Sequence, residues 1–154
     1  MNWKSLGVLV ATLAFCTSLM AQHDPRAPFL GIWEINLAKS PGYPAEQGNT
    51  IVNVPTPDGG FDSTRITTQK GNMARIEIHP VAFDGKPHQT LGGDPREITY
   101  KLVDPNTVER THNRAGKIAM DTEQVSKDGK TLTVTQANAV RVYDKKFSLK
   151  EVGR

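Results

Sequence analysis

In Val108-Glu109-Arg110-Thr111-His112 the spacing is two, so a strand that turns Val108 inward turns a guanidinium and an imidazole inward with it. A buried guanidinium needs a carboxylate beside it or an anionic ligand. That is the chemistry of a site for a small amphipathic or carboxylate-bearing molecule. Arg65 offers the same: either Arg65 faces the core with Ser63 and Phe61, or Ile66 does with Thr64. Tyr100, between Ile98 and Leu102 on one face, adds a hydroxyl to an apolar surface. The candidate ligand-binding set is therefore Arg65, Tyr100, Arg110 and His112. Against it stands the reading in which both arginines lie on the solvent face and Val108 is a local exception.

Other chemistries find less support. With Asp84-Gly85 as a hairpin tip, His88 falls opposite Val81 and diagonal to His79, with Glu77 the nearest acid of the same parity. A zinc ion needs about three or four ligands, and Pro80 disturbs this register, so no metal is expected. There is no Gly-x-Ser-x-Gly elbow, no His-Glu-x-x-His and no phosphate-cradling loop before a helix. Asp121 and Glu123 lie at strand spacing and read as solvated surface, and Gly92-Gly93-Asp94-Pro95 reads as a turn. No catalytic residue and no cofactor are expected. An activity assembled only in the fold would instead show a cleft gathering His112 or another titratable group.

The elements that must position these residues are strands. Threonine is abundant, Val and Ile outnumber Leu, and Gly with Pro or Asp recurs at short intervals. The spacing predicts strands over 31–37, 50–54, 61–69, 73–83, 97–103, 108–114, 118–126, 131–136 and 139–143, with a short piece over 87–91. Residues 40–49 carry Pro41, Gly42, Pro44 and Gly48 and read as a loop. Asp84-Gly85, Asp104-Pro105-Asn106, Ala115-Gly116 and Asp128-Gly129 are turns. Residues 144–154 are charged and read as a frayed end or a short terminal helix. Roughly eight to ten antiparallel strands follow one another, and such a meander closes into an up-and-down barrel or leaves long unpaired edges. Closure is the expected fold, a bent open sheet or sandwich the alternative. Apolar alternation assigns Trp33/Ile35/Leu37, Val52/Val54, Ile76/Ile78, Ile98/Tyr100/Leu102, Leu132/Val134 and Val140/Val142 to the inward faces.

Lys4 followed by the apolar stretch Leu6–Phe15 reads as a signal peptide over residues 1–21, cleaved after Ala21. The stretch is shorter than the roughly 20 residues of a membrane span, so no integral span is expected. A lipoprotein processed at Cys16 is the lesser alternative, because Phe15 is bulky where a small residue belongs. Without Cys16 the exported chain has no cysteine, which rules out disulfides and thiol chemistry. Residues 22–154 then form one domain, with its core over about 29–143, in the periplasm or secreted. The whole chain has 19 basic and 16 acidic residues, a net charge of +3. Their signs alternate along the sequence, so no nucleic-acid surface is expected.

Gly31-Ile32-Trp33 resembles the Gly-x-Trp that begins the first strand of lipocalins and other calycins. The longer block Gly31 to Ser40, with the later Asp84-Gly85-Lys86 and Asp128-Gly129-Lys130 turns, resembles a group of exported bacterial proteins. These share a Gly-x-Trp-x-hydrophobic-Asn-x-x-Lys-Ser opening. The resemblance covers roughly residues 29–143 and implies a small lipocalin-like barrel, with no assigned activity. It also implies that Arg141 packs over the Trp33 indole and closes one end of the barrel. Simple alternation would instead turn Arg141 outward between Val140 and Val142. The lipocalin disulfide and the second lipocalin motif are absent.

The function expected is an exported barrel that binds a small, partly apolar or carboxylate-bearing molecule in its lumen. The alternatives are a non-catalytic structural or interaction module of the cell envelope and an enzyme of unknown reaction. A binding barrel predicts an open lumen with apolar walls and one or two polar anchors; an interaction module predicts a filled one. Oligomeric state is not legible.

Overall fold

A computed structural model describes residues 24–148. The leader over residues 1–21, the boundary at Gln22, Cys16 and residues 149–154 lie outside the described residues. The strands are β1 (Gly31–Ile35), β2 (Gln47–Pro55), β3 (Phe61–Gln69), β4 (Asn72–Val81), β5 (His88–Gln89), β6 (Glu97–Asp104), β7 (Thr107–Arg114), β8 (Lys117–Val125), β9 (Thr131–Gln136) and β10 (Ala139–Phe147). They form one ten-stranded antiparallel sheet in the order β4-β3-β2-β1-β10-β9-β8-β7-β6-β5. First and last strands pair, and the two remaining edges meet at an isolated bridge between Ile78 and Leu91. The up-and-down barrel expected from the sequence therefore forms, with one thin seam between β4 and β5. Among the described residues there is no α-helix, and no helix long and apolar enough to cross a membrane.

Four boundaries differ from expectation. Leu37 leaves the first strand for a 3-10 turn, Leu37–Lys39, because the Asn36 side chain caps that turn at the Lys39 N–H and also donates to Asp144 Oδ2 at 2.6 Å. Leu37 is exposed. The loop after it ends earlier, since β2 already pairs with β3 at Gln47. The Asp84-Gly85 hairpin is reduced to the Ile78–Leu91 bridge, which keeps its expected register, while β5 pairs with β6 and places His88 opposite Ile98. The charged end continues as strand, because β1 offers its free edge to β10 as far as Phe147.

Antiparallel order gives the barrel two ends. The connections 56–60, 105–106 and 126–130 lie at one; 70–71, 115–116, 137–138 and the segment 36–46 lie at the other. The first end is filled. Trp33, Phe61, Val81, Val108, Val125 and Leu132 are buried there, and Phe29 enters from the segment before β1 to stack on Phe61 at 6.3 Å between centroids. The Phe29 carbonyl accepts from Trp33 Nε1 at 2.9 Å and Asn53 Nδ2 at 2.8 Å. Gly31 is required here: its φ is +124°, and a Cβ would stand 2.3 Å from the Phe147 carbonyl oxygen.

Facing corrects several expectations. Ile98, Tyr100, Leu132 and Val134 point inward as read, whereas on β2 the inward residues are Ile51 and Asn53, not Val52 and Val54. On β4 they are Glu77, His79 and Val81, not Ile76 and Ile78. On β10 Tyr143 faces in, while Val140 is exposed and Val142 is only half-buried.

Candidate functional site

The open end holds a cavity of about 390 Å³. Four strands deliver their share by the same rule, an apolar residue at the closed end followed at steps of two by polar ones toward the mouth. β7 runs Val108, Arg110, His112; β8 runs Val125, Glu123, Asp121; β4 runs Val81, His79, Glu77, Arg75; β3 runs Phe61, Ser63, Arg65, Thr67. Every side chain lining the cavity carries a polar or charged group. The open lumen with apolar walls expected of a binding barrel is thus replaced by a half-filled lumen with polar walls.

Arg110 and Asp121 stand opposite each other in the β7–β8 ladder. The Arg110 guanidinium donates to Asp121 Oδ2, with Nε at 3.1 Å, and its Nη1 lies 2.8 Å from Glu123. Arg65 reaches the same Glu123 oxygen at 2.5 Å, and His112 Nε2 meets Asp121 Oδ2 at 2.6 Å. Burial opposes all these charges, but the pairing overrides it. His112 and Arg110 hold the Asp121 carboxyl at about 2, Arg65 and Arg110 hold Glu123 below its usual range, and Glu123, Tyr100 and Asp121 keep Arg110 above its own. Asp121 and Glu123 are therefore buried counter-ions, a correction of their reading as solvated surface.

A second group occupies the seam. Glu77 accepts from Arg75 and from Arg96 Nη2, the latter at 2.8 and 2.9 Å. Despite burial, contacts from His79, Arg75 and Arg96 hold Glu77 at about 2. Next to it, burial pushes His79 down to about 3, aided by Arg65, Arg110 and Arg96 and opposed only by Glu77. His79 is therefore neutral. Burial pushes the Tyr100 phenol up, and its hydroxyl shares a hydrogen bond with His79 Nδ1 at 3.4 Å whose direction is set by the imidazole tautomer. The Gly92-Gly93 turn lies directly on this group: a Cβ at Gly93, φ +59°, would stand 2.6 Å from Glu77 Oε1.

A third feature is Arg141 on β10. Its guanidinium lies 5.5 Å from the centre of the Tyr43 ring, which the segment after the 3-10 turn brings over the mouth. Tyr143, two residues along, is buried on the same wall. Among the described residues no carboxylate lies within ion-pair distance of Arg141.

Of the four residues expected to bind a ligand, Arg65, Arg110 and His112 are brought together at the cavity. Tyr100 lies beneath it, 1% exposed, and touches the group through His79. The barrel-closing pair is different from the one the resemblance implied: Lys145, not Arg141, stands over the Trp33 indole, 4.4 Å from its centre. The β1–β10 register puts Lys145 opposite Trp33, two steps beyond Tyr143. His88 bonds Asp84 at 3.1 Å and does not join His79. Among the described residues no group of three or more His, Cys, Asp or Glu is placed to hold a metal ion. Arg75, Glu77, Arg96, Tyr43 and Arg141 join the site without having been expected there. The available signal is parity: Arg75, Glu77 and His79 continue inward from Val81 as Arg110 and His112 do from Val108.

No protein-family model matches the chain, and no curated protein matches it in sequence. Solved structures do resemble the barrel. As-p18, an extracellular fatty acid binding protein, is 20% identical with a TM-score of 0.58, over 78% of this chain and 97% of that one. A Schistosoma mansoni fatty acid binding protein in complex with arachidonic acid is 15% identical with a TM-score of 0.55, over 80% and 99%. The fluorescent protein UnaG is 18% identical with a TM-score of 0.52, over 79% and 99%. At these identities the likeness shows the fold alone, a small antiparallel β-barrel of the kind the Gly31-x-Trp33 opening implied.

Proposed function

We propose that the chain is an exported, non-catalytic barrel that takes a small acid-bearing molecule into its open end, with Arg141 receiving the acid group. One observation carries this reading. Arg65, Arg75, Arg96 and Arg110 each have a carboxylate partner, whereas Arg141 faces the same cavity beside the Tyr43 ring and has no carboxylate within ion-pair distance among the described residues. A cation on a partly desolvated wall attracts an anion more strongly than the same cation in bulk water. Arg65 and Arg110, the anchors suggested by the sequence, hold the floor of the cavity and contribute its field. The unpartnered Arg65 Nε, Arg96 Nε and Asn49 Oδ1 add hydrogen-bonding capacity around it. Kinship of fold with proteins named for fatty acid binding supports a ligand with a carboxylate. Export to the periplasm or beyond rests on Lys4 and the apolar stretch behind it.

The test is calorimetric titration with hexanoate and with the uncharged hexanamide. Hexanoate should bind at least about tenfold more tightly, the margin of a charge-assisted hydrogen bond, and Arg141→Gln should erase the preference. Equal affinities, or a preference that survives Arg141→Gln, would overturn the reading.

A further inference from the structure

We infer that the cavity is built for a linear molecule with an acid group at each end, a small dicarboxylate, and not for a long-chain monocarboxylate. The inference rests on the acid-binding reading above and goes beyond it. Five arginines line the cavity. Their charges are not evenly met. Arg65 and Arg110 share two carboxylates, Glu123 and Asp121, and are balanced. Arg75 and Arg96 share a single carboxylate, Glu77, which leaves one positive charge in excess. Arg141 has none among the described residues, which leaves another. His79 is neutral and adds no charge.

The two excess charges sit on different walls. Going round the sheet, β4 and β10 are separated by β3, β2 and β1 on one side and by β9 through β5 on the other. The Arg75–Glu77–Arg96 group at β4 and Arg141 on β10 therefore line the same cavity from well-separated strands. A ligand that neutralises both must place its own charges apart. Surplus charge of one sign in a walled cavity selects the ligand that cancels it, because each uncancelled charge must otherwise be solvated in a confined space.

An alkyl tail has no matching wall. The apolar half of the barrel is occupied by the chain's own Trp33, Leu132, Val108 and Val125, all at most 2% exposed. The space that remains is about 390 Å³, near the small end of ligand cavities, and is bounded by polar groups throughout. A chain ending in a methyl group would leave that end against Arg75 and Arg96. A chain ending in a second carboxylate would not.

The experiment compares straight-chain dicarboxylates of four to nine carbons with their monomethyl esters, with glycerol 3-phosphate and with oleate. All are titrated calorimetrically into the protein as its host processes it. The dicarboxylates should show an optimum length and bind at least tenfold more tightly than the monoester of that length. Arg75→Gln leaves the Glu77–Arg96 pair in place and should bring the dicarboxylate down to the monoester's affinity. Arg141→Gln should weaken both. Monoester and diacid of equal affinity, each weakened by Arg141→Gln, would sink the two-ended ligand and leave the acid-binding reading standing. Tightest binding by oleate would do the same. Tightest binding by glycerol 3-phosphate would overturn it too, by showing the two charges to be met as one. If none of the probes binds, both readings fall.

Discussion

The two ends of this barrel use the same inward positions for opposite purposes. At the closed end Val108, Val125 and Leu132 exclude water and need no partners. Two residues further along the same strands, Arg110, Glu123 and Val134 occupy the equivalent inward sites, and the two charged ones survive burial only by pairing. Stability at one end comes from apolar area. At the other, removing a single partner from an ion pair costs more than the pair contributes.

The largest expected effect follows from that asymmetry. Arg110→Ala leaves buried Asp121 with His112 alone and buried Glu123 with Arg65 alone, so the unfolding free energy in urea should drop by about 3–5 kcal/mol. Adding Asp121→Asn should restore part of the loss, because Glu123 keeps Arg65 as its partner. If the single variant is as stable as the parent, the polar end is wetter than its burial implies. At the closed end, Leu132→Ala should cost about 3 kcal/mol through cavity formation and leave acid binding within about twofold, since one residue packs and the other set binds. A Leu132→Ala variant that lost binding at unchanged temperature of unfolding would erase the division between the ends.

The smallest effect concerns acid. Folded His79 stays neutral down to about pH 3, whereas the unfolded imidazole takes up a proton below its ordinary 6.5. The unfolded chain then binds more protons, so stability falls as pH falls through that window, by about 1.4 kcal/mol per pH unit at full slope. Glu77 and Asp121, both held at about 2, join only below their ordinary values of 4.5 and 3.8. Urea unfolding of His79→Gln should therefore show a flatter profile between pH 6.5 and 4.5. An unchanged slope there would assign the acid sensitivity to other groups.

Strands and turns are legible in the sequence because period-two patterning and Asp-Gly or Ala-Gly pairs report backbone geometry whatever the lumen contains. Which face turns inward is legible only where apolar burial governs. On β6 and β9, Ile98 and Leu132 give the right parity. On β4 the outward Ile76 and Ile78 are the apolar residues and the inward Glu77 and His79 the charged ones, so reading hydrophobicity across the strand inverts it. The informative gradient runs along the strand, from Val81 to His79 to Glu77. The same gradient hides the Asp121–Arg110 pair, whose acid looks like surface until the β7–β8 register places it opposite a buried base. Arg141 does not reach the indole because register alone decides whether Arg141 or Lys145 lies opposite Trp33.

Gly93 gives the cavity an unexpected mutational geography. It bears no charge and lies in an exposed turn, so by the usual tolerance of surface loops it would rank among the freely variable positions. Yet the space its missing side chain leaves is the space the Glu77 carboxylate occupies. Any substitution there competes with that carboxylate for its seat between Arg75 and Arg96. The charge of the lumen is thus written partly in a residue that carries none, and variation at this position would alter ligand preference while every ionisable residue stayed the same.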